Sequence, residues 1–236
     1  VDTDLIARIE GYPTPLKLRI LAGEMNAQKQ QVARVDRSSP LVPDRDLKDR
    51  LRGAAASAID GCDAVLISDY GIGLTAGDLG RFAVDRCLER GIPSVVDSRF
   101  DLMSFRGATM ATPNEVEALA AIGARDESRL ATGELARRLR EGSGIENFIV
   151  TRGSKGMLVC GAGGESTIGI IGSDEATDVT GAGDTVSAYV TLSLACGASA
   201  VEAAWMATYA AAVVVMKRGT ATATPAEVRK LIAHYS

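Results

Sequence analysis

The sequence predicts an α/β fold: a mainly parallel sheet flanked by helices, with a small β lid. Three observations predict it. Short, wholly apolar runs are spaced as buried strands, helical spacing fills the intervals, and a glycine-rich turn opens a helix near residue 181. With 236 residues, 46% of them hydrophobic, the chain can bury one sizeable core.

The beginning differs from the rest. Leu16–Ile20 alternates apolar and cationic residues, and Gln31–Asp36 is a second short extended segment. Two half-exposed strands read as a small projecting sheet, the alternative being an ordinary edge hairpin; on the first reading residues 1–40 are assigned to lid strands and 41–236 to the α/β core. Exposed strand edges invite pairing, and a two-stranded flap is marginal unless something packs on it. The lid is therefore expected to form a homodimer contact. The chain opens without methionine or a hydrophobic strand, which leads to the expectation of a missing N-terminal part.

In the core, Ala64–Ser68 is an apolar run that ends in Asp69-Tyr70-Gly71, the pattern of a buried strand and its C-terminal loop. Residues 75–90 have helical spacing closed by Gly91. Further strands are expected at Pro93–Asp97 and Ala108–Ala111, and helices at Glu115–Ile122 and Glu127–Arg140. Two more strands, Phe148–Thr151 and Met157–Cys160, flank a turn at 152–156. Beyond Asp178 the chain reads as almost entirely helical, with Thr224, Pro225 and Glu227 marking the start of the last helix.

The segment Asp178-Val179-Thr180-Gly181-Ala182-Gly183-Asp184 carries the chemistry. A glycine-rich turn at a helix start leaves backbone N–H groups unpaired beside the positive end of the helix dipole, which makes an anion site. Asp184 would repel a resting phosphate, but proton abstraction beside a developing negative charge suits it. A P-loop would need Lys followed by Ser or Thr where Asp184-Thr185 stands, and a dinucleotide fingerprint would need glycine where Val186 stands. The structural alternative is an ordinary helix start in which Asp184 favours the dipole.

A net charge of −4 gives no basic footprint for nucleic acid or acidic membranes. The most apolar run, Ala203–Met216, is too short to span a bilayer. Cys62, Cys87, Cys160 and Cys196 are scattered, which suits buried thiols in a reducing cytoplasm better than disulfides or zinc. The single histidine, His234, reads as a surface residue near the end, so acid–base work falls to carboxylates.

The segment 178–184 resembles the C-terminal signature of the PfkB (ribokinase-like) carbohydrate kinases. The likeness continues, in the family's order, through Ser68-Asp69-Tyr70-Gly71, Thr112-Pro113-Asn114 with Glu117, Val150-Thr151-Arg152-Gly153 and residues 217–222. Residues 14–20 and 30–36 are similar to the kinase domain of heptose-7-phosphate kinases. The resemblance implies an ATP-dependent kinase acting on a sugar or sugar phosphate. Asp184 would be the base, and Gly181, Ala182 and Gly183 the anion hole. It further implies ATP contacts at Asn114, Thr151, Arg152, Gly153, Gly219 and Thr220. Mg²⁺ would be positioned through water by Asn114 and Glu117, which alternatively form a capping box. In some members a monovalent cation, K⁺, is held by residues like Asp178 and Thr180. Lys17, Arg19, Arg34 and Arg99 are expected to hold a second phosphate on the substrate, or else to be solvated surface charge.

Two departures weaken the heptose assignment: relatives often carry Lys where Ile72 stands, and Lys-Gly where Arg99-Phe100 stand. A kinase of another sugar or of a nucleoside therefore remains an alternative, and so, on the expectation of a missing N-terminal part, does an inactive nucleotide-binding fragment.

Overall fold

Continuous apolar runs become strands buried on both faces. In the computed structural model, which describes residues 2–22, 30–75, 78–126, 130, 133–172 and 177–235, a six-stranded sheet runs in the order β3-β4-β5-β6-β7-β8. The strands are β3 (Val65–Asp69), β4 (Ser94–Ser98), β5 (Met110–Ala111), β6 (Asn147–Thr151), β7 (Met157–Gly161) and β8 (Gly164–Ile168). β3 to β6 pair in parallel, whereas β6 with β7 and β7 with β8 pair antiparallel.

Alternation along the strands divides the core in two. Val96, Phe148, Val150 and Leu158 join one apolar cluster with Val84, Leu119 and Leu139, from the helices α2 (Asp78–Arg90), α3 (Glu115–Ala121) and α4 (Glu134–Ser143). Val95, Ile149, Met157 and Val159 join the other, with Val186, Val190, Ala203 and Ala207 of α5 (Ala182–Ala195) and α6 (Ala200–Val215). The fully buried alanines of α6 let it lie close to α5 and the sheet. The last helix, α7 (Pro225–Tyr235), packs on α6 and is opened by Thr224, whose hydroxyl and Glu227 bond reciprocally to each other's backbone N–H.

Ahead of this core, β1 (Leu16–Ala22) and β2 (Gln30–Arg37) form an antiparallel sheet of their own. Leu18 pairs with Val35, Arg19 with Arg34 and Lys17 with Asp36, with a shift of register after Ile20. One face of this ribbon is thus cationic, carrying Lys17, Arg19 and Arg34. The other, with Leu16, Leu18, Ile20 and Val35, is apolar and exposed.

Two elements have no counterpart among the expected ones. α1 (Arg45–Asp60) is capped by Asp44, which accepts the Leu47 N–H at 2.8 Å, and it buries only Ile59 fully. β8 is a polar edge strand whose first four residues are exposed. The helix expected from Glu127 starts instead at Glu134; residues 127–129, 131 and 132 lie outside the described residues. Cys87 and Cys160 are buried, and burial pushes their thiols up to about 11 and about 12, but Cys62 and Cys196 are exposed rather than buried. His234 is exposed, as expected.

Candidate active site

Parallel strands deliver their C-terminal loops to one edge of the sheet, where ligands bind in open α/β folds. Here Tyr70 follows β3, Arg99 follows β4, Thr112–Asn114 follow β5, and Thr151 ends β6. The N-terminus of α5 faces these loops across a cleft of about 480 Å³. Gly181 is the N-cap of α5, with a left-handed φ of 82° that only glycine adopts readily, and among the described residues no side chain caps the helix. Asp184 sits in the first turn.

The same cleft gathers Arg19, Arg34, Arg99, Asn114, Glu117, Thr151, Thr180, Gly181, Gly183 and Asp184. Ala182 stands apart from the other two glycine-turn residues. Its N–H already donates to the Val179 carbonyl at 3.2 Å, and its side chain lines a neighbouring apolar cavity of about 310 Å³. Gly153 also lines that second cavity, together with Met157, Ile170, Val186, Ala211 and Val215. Thr151, Val179 and Gly183 border both cavities, so the apolar one opens beside the polar one.

Asn114 and Glu117 form a complete capping box: each side chain accepts the other's backbone N–H at 2.9 Å. The Asp178 carboxylate accepts from the Thr180 N–H at 2.9 Å and the Gly219 N–H at 3.0 Å, which ties the anion turn to residues 217–222. The Thr180 bonds, chiefly, hold this carboxyl below its usual range. The Thr220 methyl group lies near Gly181. Arg152 is drawn towards Glu115, Nε to Oε1 at 3.7 Å, and Lys155 reaches the same carboxylate at 3.2 Å.

Four residues without an expected role also belong here. Asp69 is a buried carboxylate that accepts from the Ser98 hydroxyl at 2.7 Å, the Thr75 hydroxyl at 2.5 Å and the Gly71 N–H at 3.0 Å. The next residue, Tyr70, donates its phenol to Asp184 Oδ1 at 2.6 Å. Lys17 Nζ and the Arg99 guanidinium lie over its ring, 4.3 and 4.6 Å from the centroid. Asp97 lies in the cleft with its carboxyl pushed up, first by burial and then by Glu117 and Asp184, against the lowering effect of Ser187. The Ser187 hydroxyl is 3.0 Å from Asp97 and 2.7 Å from the Gly183 carbonyl, so its one proton serves one of them at a time. Tyr70 and Asp97 both stand at strand C-termini, and that position was the available sequence signal.

Among the described residues, no group of three or more His, Cys, Asp or Glu side chains could hold a metal ion, and no helix is long and apolar enough to cross a membrane.

An α/β sheet whose strand ends face an uncapped, glycine-gated helix start with a carboxylate in its first turn defines the ribokinase-like class of folds. The chain belongs to the pfkB family of carbohydrate kinases, whose sequence profile matches residues 1–227. It is 36% identical over 230 residues to a bifunctional protein HldE of Trichlorobacter lovleyi, covering 97% of this chain and 46% of that protein. It is 38% identical over 220 residues to the HldE of Geobacter metallireducens, covering 91% and 43%. The chain thus spans about half the length of the curated relatives it matches. Among solved structures it superposes on phosphofructokinase-2 from Escherichia coli in complex with potassium, with a TM-score of 0.72, 19% identity and coverage of 86% and 66%. It also superposes on Arabidopsis thaliana ribokinase complexed with ribose and ATP, with a TM-score of 0.67, 19% identity and coverage of 94% and 70%.

Proposed function

We propose that the protein containing this chain transfers the γ-phosphoryl group of ATP to a hydroxyl of a phosphorylated sugar, with the anomeric hydroxyl of a heptose 7-phosphate first among candidates. One observation carries this reading: Asp184 and the uncapped α5 N-terminus share a cleft with Arg19 and Arg34 of the ribbon. Arg19 and Arg34 are direct cross-strand partners; Arg34 pairs with Asp36 at 3.0 Å, and a substrate phosphate between the two arginines would relieve the repulsion that remains.

The residues present fit ATP and Mg²⁺. The apolar cavity suits a nucleobase, and it opens beside the polar cleft at Thr151 and Gly183. In that cleft the Thr112 hydroxyl is buried with no hydrogen-bond partner among the described residues, which suits a phosphate oxygen or a metal-bound water. ATP supplies the phosphoryl group, and Mg²⁺ neutralises charge on the phosphates. Mg²⁺ keeps most of its waters and needs few protein ligands, so Asn114 and Glu117 would act on it through water. K⁺, if used, would take main-chain carbonyls at Asp178 and Thr180, because both Asp178 carboxylate oxygens already accept N–H groups.

In this reading the first-turn N–H groups of α5 stabilise charge that develops on the transferred phosphoryl. Asp184 takes the proton of the attacking hydroxyl. The ribbon cations and Arg99 hold the remote phosphate and so orient that hydroxyl.

The test compares kcat/KM for a sugar and its terminal phosphate ester with the full-length protein. The phosphate ester is expected to be preferred by at least about tenfold, a modest yield for a charge-assisted clamp. Equal values, or a preference for the free sugar, would remove the sugar-phosphate assignment and leave a kinase of another sugar or a nucleoside. Absence of phosphoryl transfer to any acceptor, with ATP still bound, would favour the nucleotide-binding alternative.

A further inference from the structure

Asp184 does not stand alone in the cleft: its Oδ1 accepts the Tyr70 phenol at 2.6 Å, across 114 residues of sequence. The partner is itself held. The carboxylate before it, Asp69, is 5% exposed and takes three hydrogen bonds that fix the start of the loop. The ring lies under two cations, Arg99 from the end of β4 and Lys17 from β1 of the ribbon. Burial, and then the hydrogen bond to Asp184, push the phenol up to about 12, so it remains a donor throughout the neutral range.

We propose that Tyr70 is a positioning residue for Asp184: it holds Oδ1, leaves Oδ2 to face the substrate hydroxyl, and links that orientation to the ribbon through Lys17. This inference rests on the reading of Asp184 as the base. An aspartate in the first turn of a helix can adopt more than one rotamer, and proton transfer needs a heavy-atom separation of about 2.6–3.2 Å. A bond to one oxygen selects the rotamer and leaves the other oxygen free. Lys17 is the contact that reports the ribbon, through its place over the Tyr70 ring; its pKa is lowered, first by burial and then by the neighbouring Arg99. With the ribbon lifted, Tyr70 would lose that cation–π contact.

The opposite possibility is that the phenol plugs the base and must be displaced by substrate. The two make opposite predictions for Tyr70→Phe, which keeps the ring and its cations and removes only the donor. As a positioning residue, Tyr70 is expected to lose kcat by roughly 10- to 100-fold on that change, the scale set by misplacement of a reacting group, with KM for both substrates within about twofold. A plug would give an unchanged or raised kcat/KM, and that result overturns the proposal.

Lys17→Met, a change on the ribbon rather than in the loop that carries Tyr70, supplies an independent arm. Part of its effect, on KM, belongs to phosphate binding and should persist in a Tyr70→Leu background. The part on kcat should vanish there, because the two residues would act in one chain. Additive losses in kcat would sever the ribbon from the base and overturn the linkage. Asp184→Asn separates the levels: if it stays active, the base reading itself fails. If it is inactive while Tyr70→Phe is indistinguishable from wild type, only the present inference fails.

Discussion

At the residue scale, two carboxylates compete for the role of base, and their surroundings distinguish them. Asp97 is pushed towards its neutral form by burial, and the Ser187 hydroxyl is within reach. Asp184 stands at the positive end of α5 beside the N–H groups where negative charge would develop. Asp184→Asn is therefore expected to lower kcat by roughly 10²–10⁴, the usual range for loss of a general base, while ATP affinity, measured by calorimetry, changes by less than about threefold. Near-normal turnover would reduce Asp184 to a helix-end residue. The local part of this site was legible because glycines and a carboxylate within seven residues can be read together. Tyr70, Lys17 and Arg99 reach the same point only through the ends of β3, β1 and β4, so no spacing in the sequence joins them to Asp184.

At the element scale, the capping box of α3 poses the sharpest question, because one pair of side chains serves two readings. Asn114 and Glu117 satisfy each other's backbone N–H groups and also line the cleft. Glu117→Gln keeps a hydrogen-bonding side chain and good helix propensity, so a purely structural role should survive with a loss of about 1 kcal/mol or less. A role in holding metal-bound water needs the charge. Titration of activity against Mg²⁺ is thus expected to show a raised requirement in Glu117→Gln; an unchanged curve with only a lowered melting temperature would leave the cap alone. The same scale shows what sequence patterns can carry. β4, β6 and β7 were legible because both their faces are buried, and β3, buried only in part, because its apolar run is unbroken. α1 buries one residue fully and β8 turns four to solvent, so neither leaves a strong apolar pattern.

At the scale of the whole molecule, the ribbon presents two unlike faces. Its cationic face looks onto the site through Lys17, Arg19 and Arg34. Its apolar face leaves Leu16, Leu18, Ile20 and Val35 between 42% and 50% exposed, a contiguous stripe on a sheet too small to be stable by itself. Apolar stripes of this kind mark contact surfaces, and a second copy of the same ribbon offers a matching stripe. Leu18 and Val35 are direct cross-strand partners at the middle of the stripe, so replacing both with lysine places like charges opposite each other where a partner would pack. The full-length protein is expected to sediment as a dimer, and the Leu18→Lys, Val35→Lys variant as a monomer with a raised KM for the acceptor, since a ribbon without its partner holds the substrate phosphate less firmly. A wild-type protein that sediments as a monomer at every concentration tested would remove the dimer. A dimer unaffected by the double substitution would place its interface elsewhere on the chain.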